Sequence, residues 1–271
     1  MEETPSSQGL RILYADLDGT LLGPGGSLFA DPEGGPTAAA AEALLRLHRA
    51  GVELVLVSGR TRRGLVEPAR ILGARAFIAE LGGLLVLDDG REIVDTGAAP
   101  VGVRPAEELR RSGAAALLLE RFPGRLLPVA PWTEVSLMFQ GLVQPAEADD
   151  VLRAAGFGWA ALRDNGRLRR PPAGLDVPEV RAYHLLPRGV SKASAVRRHR
   201  ELRGVPRDRT AAIGDSPADV ELAAEVGRCF LVRNGLAALP GAPPRGVEVT
   251  AGAYGVGFAE AVDALLGRGD R

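Results

Sequence analysis

The stretch RILYADLDGTLL, residues 11–22, decides the fold. Residues 12–15 are a short apolar run, the composition of a strand buried on both faces. Asp16 and Asp18 follow at once, one leucine apart, with Gly19-Thr20 behind them. Ionised carboxylates so close to a core strand cost stability unless a cation bridges them or they share a proton. A hard divalent cation such as Mg²⁺ takes carboxylate oxygen and keeps positions open for phosphate. The pair therefore reads as a place where a metal is held and chemistry is done beside it.

Outward from that stretch, strands alternate with helices. Residues 37–50 predict a helix with Thr37 as N-cap, apolar positions at Ala41, Leu44, Leu45 and Leu47, and a stop at Gly51. Residues 52–57 predict a second apolar strand, followed by Ser58-Gly59-Arg60. A helix around residues 62–72 ends at Gly73, and residues 76–79 read as a third strand. Continuous apolar strands joined by helices imply parallel pairing in an α/β sheet.

The grammar then changes. LLVLDDGREIVD, residues 84–95, is two β-like runs joined at Asp89-Gly90, a hairpin signal. Residues 105–122 read as helical, 133–143 as a strand and 146–155 as a helix. WAALRDNGRLRR, residues 159–170, carries a second expected hairpin turn at Asn165-Gly166. Hairpins with two helices make an antiparallel α+β unit, which places an inserted domain at residues 84–186. Parallel grammar returns with a helix from Ser191 to about Leu202, a strand at 210–213, a helix opened by GDSPADVELAAEVG (residues 214–227) and a strand at 229–232. Pro/Gly clusters at 171–172 and 240–246 read as loops.

With 271 residues, 46% apolar and 25% charged, the chain can bury a sizeable core. Its formal net charge of -1 argues against a nucleic-acid or membrane-surface partner and leaves a small molecule as the expected one. The first ten residues are polar and acidic, unlike a secretory leader. No apolar run approaches the roughly 20 residues that span a bilayer. The single cysteine, Cys229, excludes an internal disulfide, fits a cytoplasmic protein and reads as a small buried hydrophobe. Every basic residue but one is arginine. Lys192 thus stands out as a position where an ammonium is required.

Four local signals fall at strand ends or helix starts, where an open α/β sheet places its ligand crevice. The first is the Asp16–Asp18 pair. The second is Ser58 with Gly59, whose hydroxyl and backbone N–H groups can hold a phosphate oxygen. The third is Lys192, a compact charge for a phosphoryl anion. The fourth is Gly214-Asp215-Ser216 with Asp219, which either complete a metal shell or orient Lys192. Each has an ordinary reading: a turn, a solvated lysine, or acids favouring a helix start. All four in this order point to one site.

At these residues the chain resembles the haloacid dehalogenase superfamily of phosphohydrolases. DLDGTLL (residues 16–22) is similar to the first family motif, Ser58 to the second, Lys192 to the third and IGDSPADV (residues 213–220) to the fourth. The likeness spans about residues 10–83 and 188–266. The insertion looks like the second type of cap, as in the Cof-like and sugar-phosphatase branch, and GVSKASAV (residues 189–196) is similar to that branch's entry to its third motif. SGRTRRGL (residues 58–65) is loosely similar to the mannosyl-3-phosphoglycerate phosphatases. The resemblance implies a Rossmann-like parallel-sheet core domain at residues 1–83 and 187–271, with an inserted α+β, C2-type cap domain at residues 84–186.

It also implies a two-step reaction on a sugar phosphate or phosphoglycerate derivative. Asp16 attacks phosphorus and forms an aspartyl-phosphate, and Asp18 is the general acid and base. Asp16, Asp18 (through its carbonyl), Asp215 and Asp219 serve Mg²⁺, while Thr20, Ser58, Gly59 and Lys192 hold phosphate oxygens. Two departures stand out: Ala218 replaces the asparagine usual in the fourth motif, and AELGG (residues 79–83) replaces a Glu-Asn-Gly run. In the cap, Arg104, Arg163 and Arg169 are candidates for an anionic group of the substrate, and Trp132 or Trp159 for a sugar face. His48 and His199 are expected on the surface, while His184 lies near the return from the cap. A phosphosugar mutase and a non-catalytic phospho-ligand-binding protein are the alternatives.

Overall fold

The computed structural model describes residues 9–129, 132–168, 172, 174–239 and 241–267. In chain order the strands and helices are β1 (Ile12–Ala15), α1 (Ala39–Arg49), β2 (Glu53–Val57), α2 (Arg62–Leu72), β3 (Ala76–Ala79), β4 (Leu84–Val86) and β5 (Glu92–Val94). Then come α3 (Pro105–Arg111), α4 (Ala114–Arg121), β6 (Leu126–Val129), β7 (Leu137–Gly141), α5 (Pro145–Ala154), β8 (Ala160–Arg167) and β9 (Arg181–Pro187). The chain closes with α6 (Lys192–Leu202), β10 (Thr210–Gly214), α7 (Pro217–Val220), β11 (Arg228–Leu231), β12 (Val247–Val249) and α8 (Tyr254–Leu266). These elements form two compact units, one of Met1–Val57, Ala69–Ala76 and Val196–Arg271, the other of Ser58–Pro68 and Phe77–Ala195.

In the first unit β1 is central, paired in parallel with β10 on one side and β2 on the other, and β11 and β12 extend the sheet beyond β10. All four residues of β1 are buried, as its unbroken apolar run requires. Helix α1 buries Ala40, Ala43, Leu44 and Leu47, a stripe at three- and four-residue spacing, and packs against α8. Leu45, expected on that stripe, is exposed, because 100° per residue carries it past the buried face.

His199, expected on the surface, is fully buried. Its Nδ1 lies 3.0 Å from the hydroxyl of Tyr14 in β1, and its Nε2 lies 3.6 Å from Oε1 of Glu53. Glu53 also accepts from Arg203 at 2.8 Å. Burial alone would raise the Glu53 carboxyl; His199 and Arg203 outweigh it and hold it below the usual range. Burial, reinforced by the Glu53 charge, pushes the Tyr14 phenol far above its ordinary value. Tyr14, His199, Glu53 and Arg203 survive here because they partner one another.

The second unit carries the antiparallel ladder β3–β4–β5, whose β4–β5 hairpin turns at Asp89-Gly90 as expected. It also holds a separate four-stranded antiparallel sheet in the order β6-β7-β9-β8. Burial alternates along β7, so Leu137 and Phe139 point inward and join Leu109, Leu118, Phe122, Leu152, Leu162, Tyr183 and Leu185 in one core with α3, α4 and α5.

Two expectations fail here. The single helix over 105–122 is two, α3 and α4, separated by Ser112 and a left-handed Gly113. Asn165-Gly166 is not a hairpin turn but lies inside β8. Asp164 pairs with Tyr183 and Arg167 with Arg181, so β8 advances three residues while β9 advances two. That is a β-bulge, with Gly166 at φ +95°. Among the described residues no helix is long and apolar enough to cross a membrane.

Candidate active site

Asp16 follows β1 directly; its backbone N–H donates to the carbonyl of Ile213 in β10 at 2.9 Å, which locks it to the neighbouring strand's end. It is 7% exposed. Asp215, one residue past β10, and Asp219, in α7, offer carboxylate oxygens that lie with one of Asp16 within 4.8 Å of one another. Asp18 is not among them. β1 ends at Ala15, so the chain turns before Asp18, which is exposed. Gly19 has φ +89°, and a Cβ there would collide with the Asp215 carboxylate. The glycine behind the aspartate pair is thus what lets the turn approach Asp215.

Asp219 is 1% exposed and its Oδ2 accepts from the backbone N–H groups of Asp215 (3.2 Å) and Ser216 (3.1 Å) and from the Ser216 hydroxyl (2.6 Å). Ser216 and Asp219 form a capping box at the start of α7. Asp219 therefore ties down the Asp215 backbone through Oδ2 and also stands in the group of three carboxylates. Three carboxylates this close repel unless neutralised. An all-oxygen, anionic donor set fits a hard divalent cation rather than a soft one. Thr20 is fully buried, and its hydroxyl makes no hydrogen bond among the described residues. Cys229 is buried as expected; burial, with the nearby carboxylates of Asp219 and Glu248, pushes its thiol up to about 12, so it is no nucleophile.

Ser58 and Gly59 belong to the second unit. The Ser58 hydroxyl accepts from the N–H of Arg60 (3.2 Å), and the Ser58 and Arg60 carbonyls accept from Leu81 (3.2 Å) and Glu80 (2.9 Å). In the sequence Glu80 stands out only as part of the unusual run AELGG. It is fully buried, and its carboxylate accepts four hydrogen bonds: Glu134 N–H (2.9 Å), Val135 N–H (3.0 Å), Ser136 N–H (2.8 Å) and the Ser136 hydroxyl (2.9 Å). Its only sequence signal is an acid at the end of an apolar strand, the same signal as Asp16.

Lys192, the chain's only lysine, begins α6 and is 3% exposed, so it is not a solvated surface charge. His184 in β9 is fully buried in the same unit, with Nδ1 3.1 Å from the Ser136 hydroxyl. That hydroxyl gives its proton to Glu80, so His184 donates from Nδ1. Burial first, then the Lys192 charge, push the His184 imidazolium down to about 3 from 6.5. The unfolded chain takes up this proton near 6.5 and the folded one only near 3. Stability is therefore expected to fall as the pH drops between those values, by about 1.4 kcal/mol per pH unit from this group. Urea midpoints at several pH values in wild type and His184→Asn check it. The variant should lose that slope, and equal slopes would contradict it.

Of the cap candidates, Arg163 is committed to the Asp149 carboxylate (3.3 Å) and the Leu162 carbonyl (2.9 Å). Trp159 packs against the cap core, Trp132 and Arg104 are exposed, and Arg169 lies outside the described residues. His48 is exposed as expected and bonds the Leu72 carbonyl at 2.9 Å.

A family model described as haloacid dehalogenase-like hydrolase matches residues 180–241, which hold Lys192, Asp215 and Asp219. A phosphoglycolate phosphatase of Pyrobaculum aerophilum is 30% identical over 266 residues, covering 96% of this chain and 97% of the relative. One from Methanothrix thermoacetophila is 28% identical over 219 residues, covering 80% and 85%. Among solved structures, a Thermoplasma acidophilum protein matches with TM-score 0.65 at 19% identity, covering 95% and 98% of the two chains. The sucrose-phosphatase of Synechocystis matches with TM-score 0.66 at 18% identity, over the same shares. These structures share the fold, a parallel-dominated core with an antiparallel cap sheet. The near full-length likeness to a phosphatase of 30% identity, on a chain whose motif carboxylates converge, leads to one conclusion: this chain belongs to the haloacid dehalogenase-like hydrolases and is a phosphatase.

Proposed function

We propose that the protein is a Mg²⁺-dependent phosphomonoester hydrolase that works through an aspartyl-phosphate on Asp16. The observation that carries this is the convergence of Asp16, Asp215 and Asp219 from positions some two hundred residues apart in sequence. The substrate is a small phosphorylated metabolite. We place phosphoglycolate first, because two relatives similar over most of this chain are named for it, and sugar phosphates second. The core domain is residues 1–83 and 187–271 and the cap 84–186. The lone buried thiol fits a cytoplasmic setting.

In the proposed first step an Asp16 oxygen bonds to phosphorus as the bond to the leaving alcohol breaks, and Asp18 gives that alcohol its proton. In the second, Asp18 takes a proton from water as the water oxygen bonds to phosphorus and the Asp16 carboxylate departs. The exposure of Asp18 supports this role, since it must exchange protons with water. Thr20, Ser58, Gly59 and Lys192 hold the phosphate oxygens; the unpartnered buried Thr20 hydroxyl and the buried Lys192 support their share. Asp16, Asp215, Asp219 and the Asp18 carbonyl would hold Mg²⁺, which when bound supplies charge to offset the carboxylates and the phosphoryl oxygens. Positioning and electrostatics are the main catalytic resources, as in phosphoryl transfer generally.

The test is phosphate release by the purified protein from phosphoglycolate, several sugar phosphates and para-nitrophenyl phosphate. Turnover is expected with Mg²⁺ and loss of it with EDTA. No release from any ester, or full activity in EDTA, would overturn the proposal, and isomer interconversion without phosphate release would assign a mutase instead.

A further inference from the structure

The β-bulge in β8 has a chemical use. Opposite Ala182 the strand carries two residues, Asn165 and Gly166, so the regular alternation of side chains breaks there and Asn165 is re-aimed. It is aimed at Gly59. A Cβ built on Gly59 would sit on the Asn165 carboxamide, with Oδ1 only 2.6 Å away. Gly59 needs no special backbone conformation, so its missing side chain serves this approach alone. The Asn165 carboxamide is half-buried and makes no hydrogen bond among the described residues. A side chain brought by an irregular strand against the backbone next to Ser58, with a carboxamide partly open to solvent, is placed for a ligand.

We infer that Asn165 is a specificity-determining residue: its carboxamide hydrogen-bonds the polar group, carboxylate or hydroxyl, that the leaving alcohol carries beside its ester carbon. The inference deepens the proposed function and rests on its assignment of Ser58 and Gly59 to the phosphate. Phosphate oxygens held on the Ser58-Gly59 segment would lie beside the carboxamide, which puts it within reach of the group the ester carries. An amide offers both a donor and an acceptor, so it takes a carboxylate or a hydroxyl, and an apolar leaving group would leave it unpaired. Arg163, its neighbour two residues back, is already held by Asp149 and does not compete for this role.

The experiment compares kcat and KM of wild type, Asn165→Ala and Asn165→Asp on phosphoglycolate, glycerol 3-phosphate and phenyl phosphate. Wild type should prefer at least one of the polar esters to phenyl phosphate. Asn165→Ala should lose about tenfold to a hundredfold in kcat/KM on that ester, mostly through KM, and less than about threefold on phenyl phosphate. Asn165→Asp should lose more on phosphoglycolate than on glycerol 3-phosphate, since it sets a carboxylate against a carboxylate. Thermal midpoints close to wild type will show that both variants fold. An active wild type with no polar preference, or a variant that slows all three esters alike, overturns the inference and leaves the proposed function standing. An inactive wild type removes both.

Discussion

Asp16→Asn should lower kcat about a thousandfold or more while raising the thermal midpoint of the metal-free protein. The first effect follows from the assignment of Asp16 as nucleophile, because an amide oxygen is a poor nucleophile and cannot leave as a carboxylate in the second step. The second follows from the geometry. Asp16, Asp215 and Asp219 place three carboxylates within 4.8 Å in a largely buried setting, and Asp219 is pinned there by three hydrogen bonds. Replacing one by an isosteric neutral group removes two repulsions and keeps the shape. A gain of a few °C is expected, about what 1 kcal/mol yields in a chain of this size. Activity assays and thermal melts in EDTA on the same preparations check both effects. A variant that keeps even a tenth of wild-type kcat would rule out Asp16 as the nucleophile.

Glu80→Ala carries the largest expected cost to stability, about 3–5 kcal/mol. Truncation leaves the N–H groups of Glu134, Val135 and Ser136 and the Ser136 hydroxyl without their acceptor in a site from which water is excluded. It also frees a strained segment: Glu80, Leu81 and Gly82 have φ of 51°, 56° and 107°, a left-handed run that side-chain-bearing residues adopt only when surroundings enforce it. Because the Glu80 and Leu81 N–H groups hold the Arg60 and Ser58 carbonyls, the Ser58 loop should loosen too, and KM should rise. Glu80→Gln keeps the volume but turns an NH₂ toward donors, so about half the cost is expected. Urea unfolding at unchanged m-value measures it. A loss under about 1 kcal/mol for Glu80→Ala would mean that the four hydrogen bonds are replaced by others.

What was legible in the sequence follows the range of the interactions. β1, β3 and α2 stand where the apolar runs and the stop at Gly73 put them, because a buried run and a helix-ending glycine are local patterns. The cap was harder. β6 is an edge strand carrying Pro128, which breaks the expected strand pattern, and Asn-Gly serves a bulge as readily as a hairpin turn. The acidic group was legible because each member sits beside its own short motif. Glu80, His184 and His199 were not, since a buried polar residue is identified by partners that lie far away in sequence. Ala218 in place of asparagine leaves the Ser216–Asp219 capping box intact, so that departure does not disturb the group.

The most direct check is acid quenching of a single turnover, followed by mass analysis of the peptide that contains residues 11–22. With wild type, Mg²⁺ and the best ester of the panel, one phosphoryl group should be found on Asp16 and disappear as free phosphate forms. Phosphate release with no protein-bound phosphoryl group at any quench time, or a phosphoryl group carried by another residue, would contradict the account.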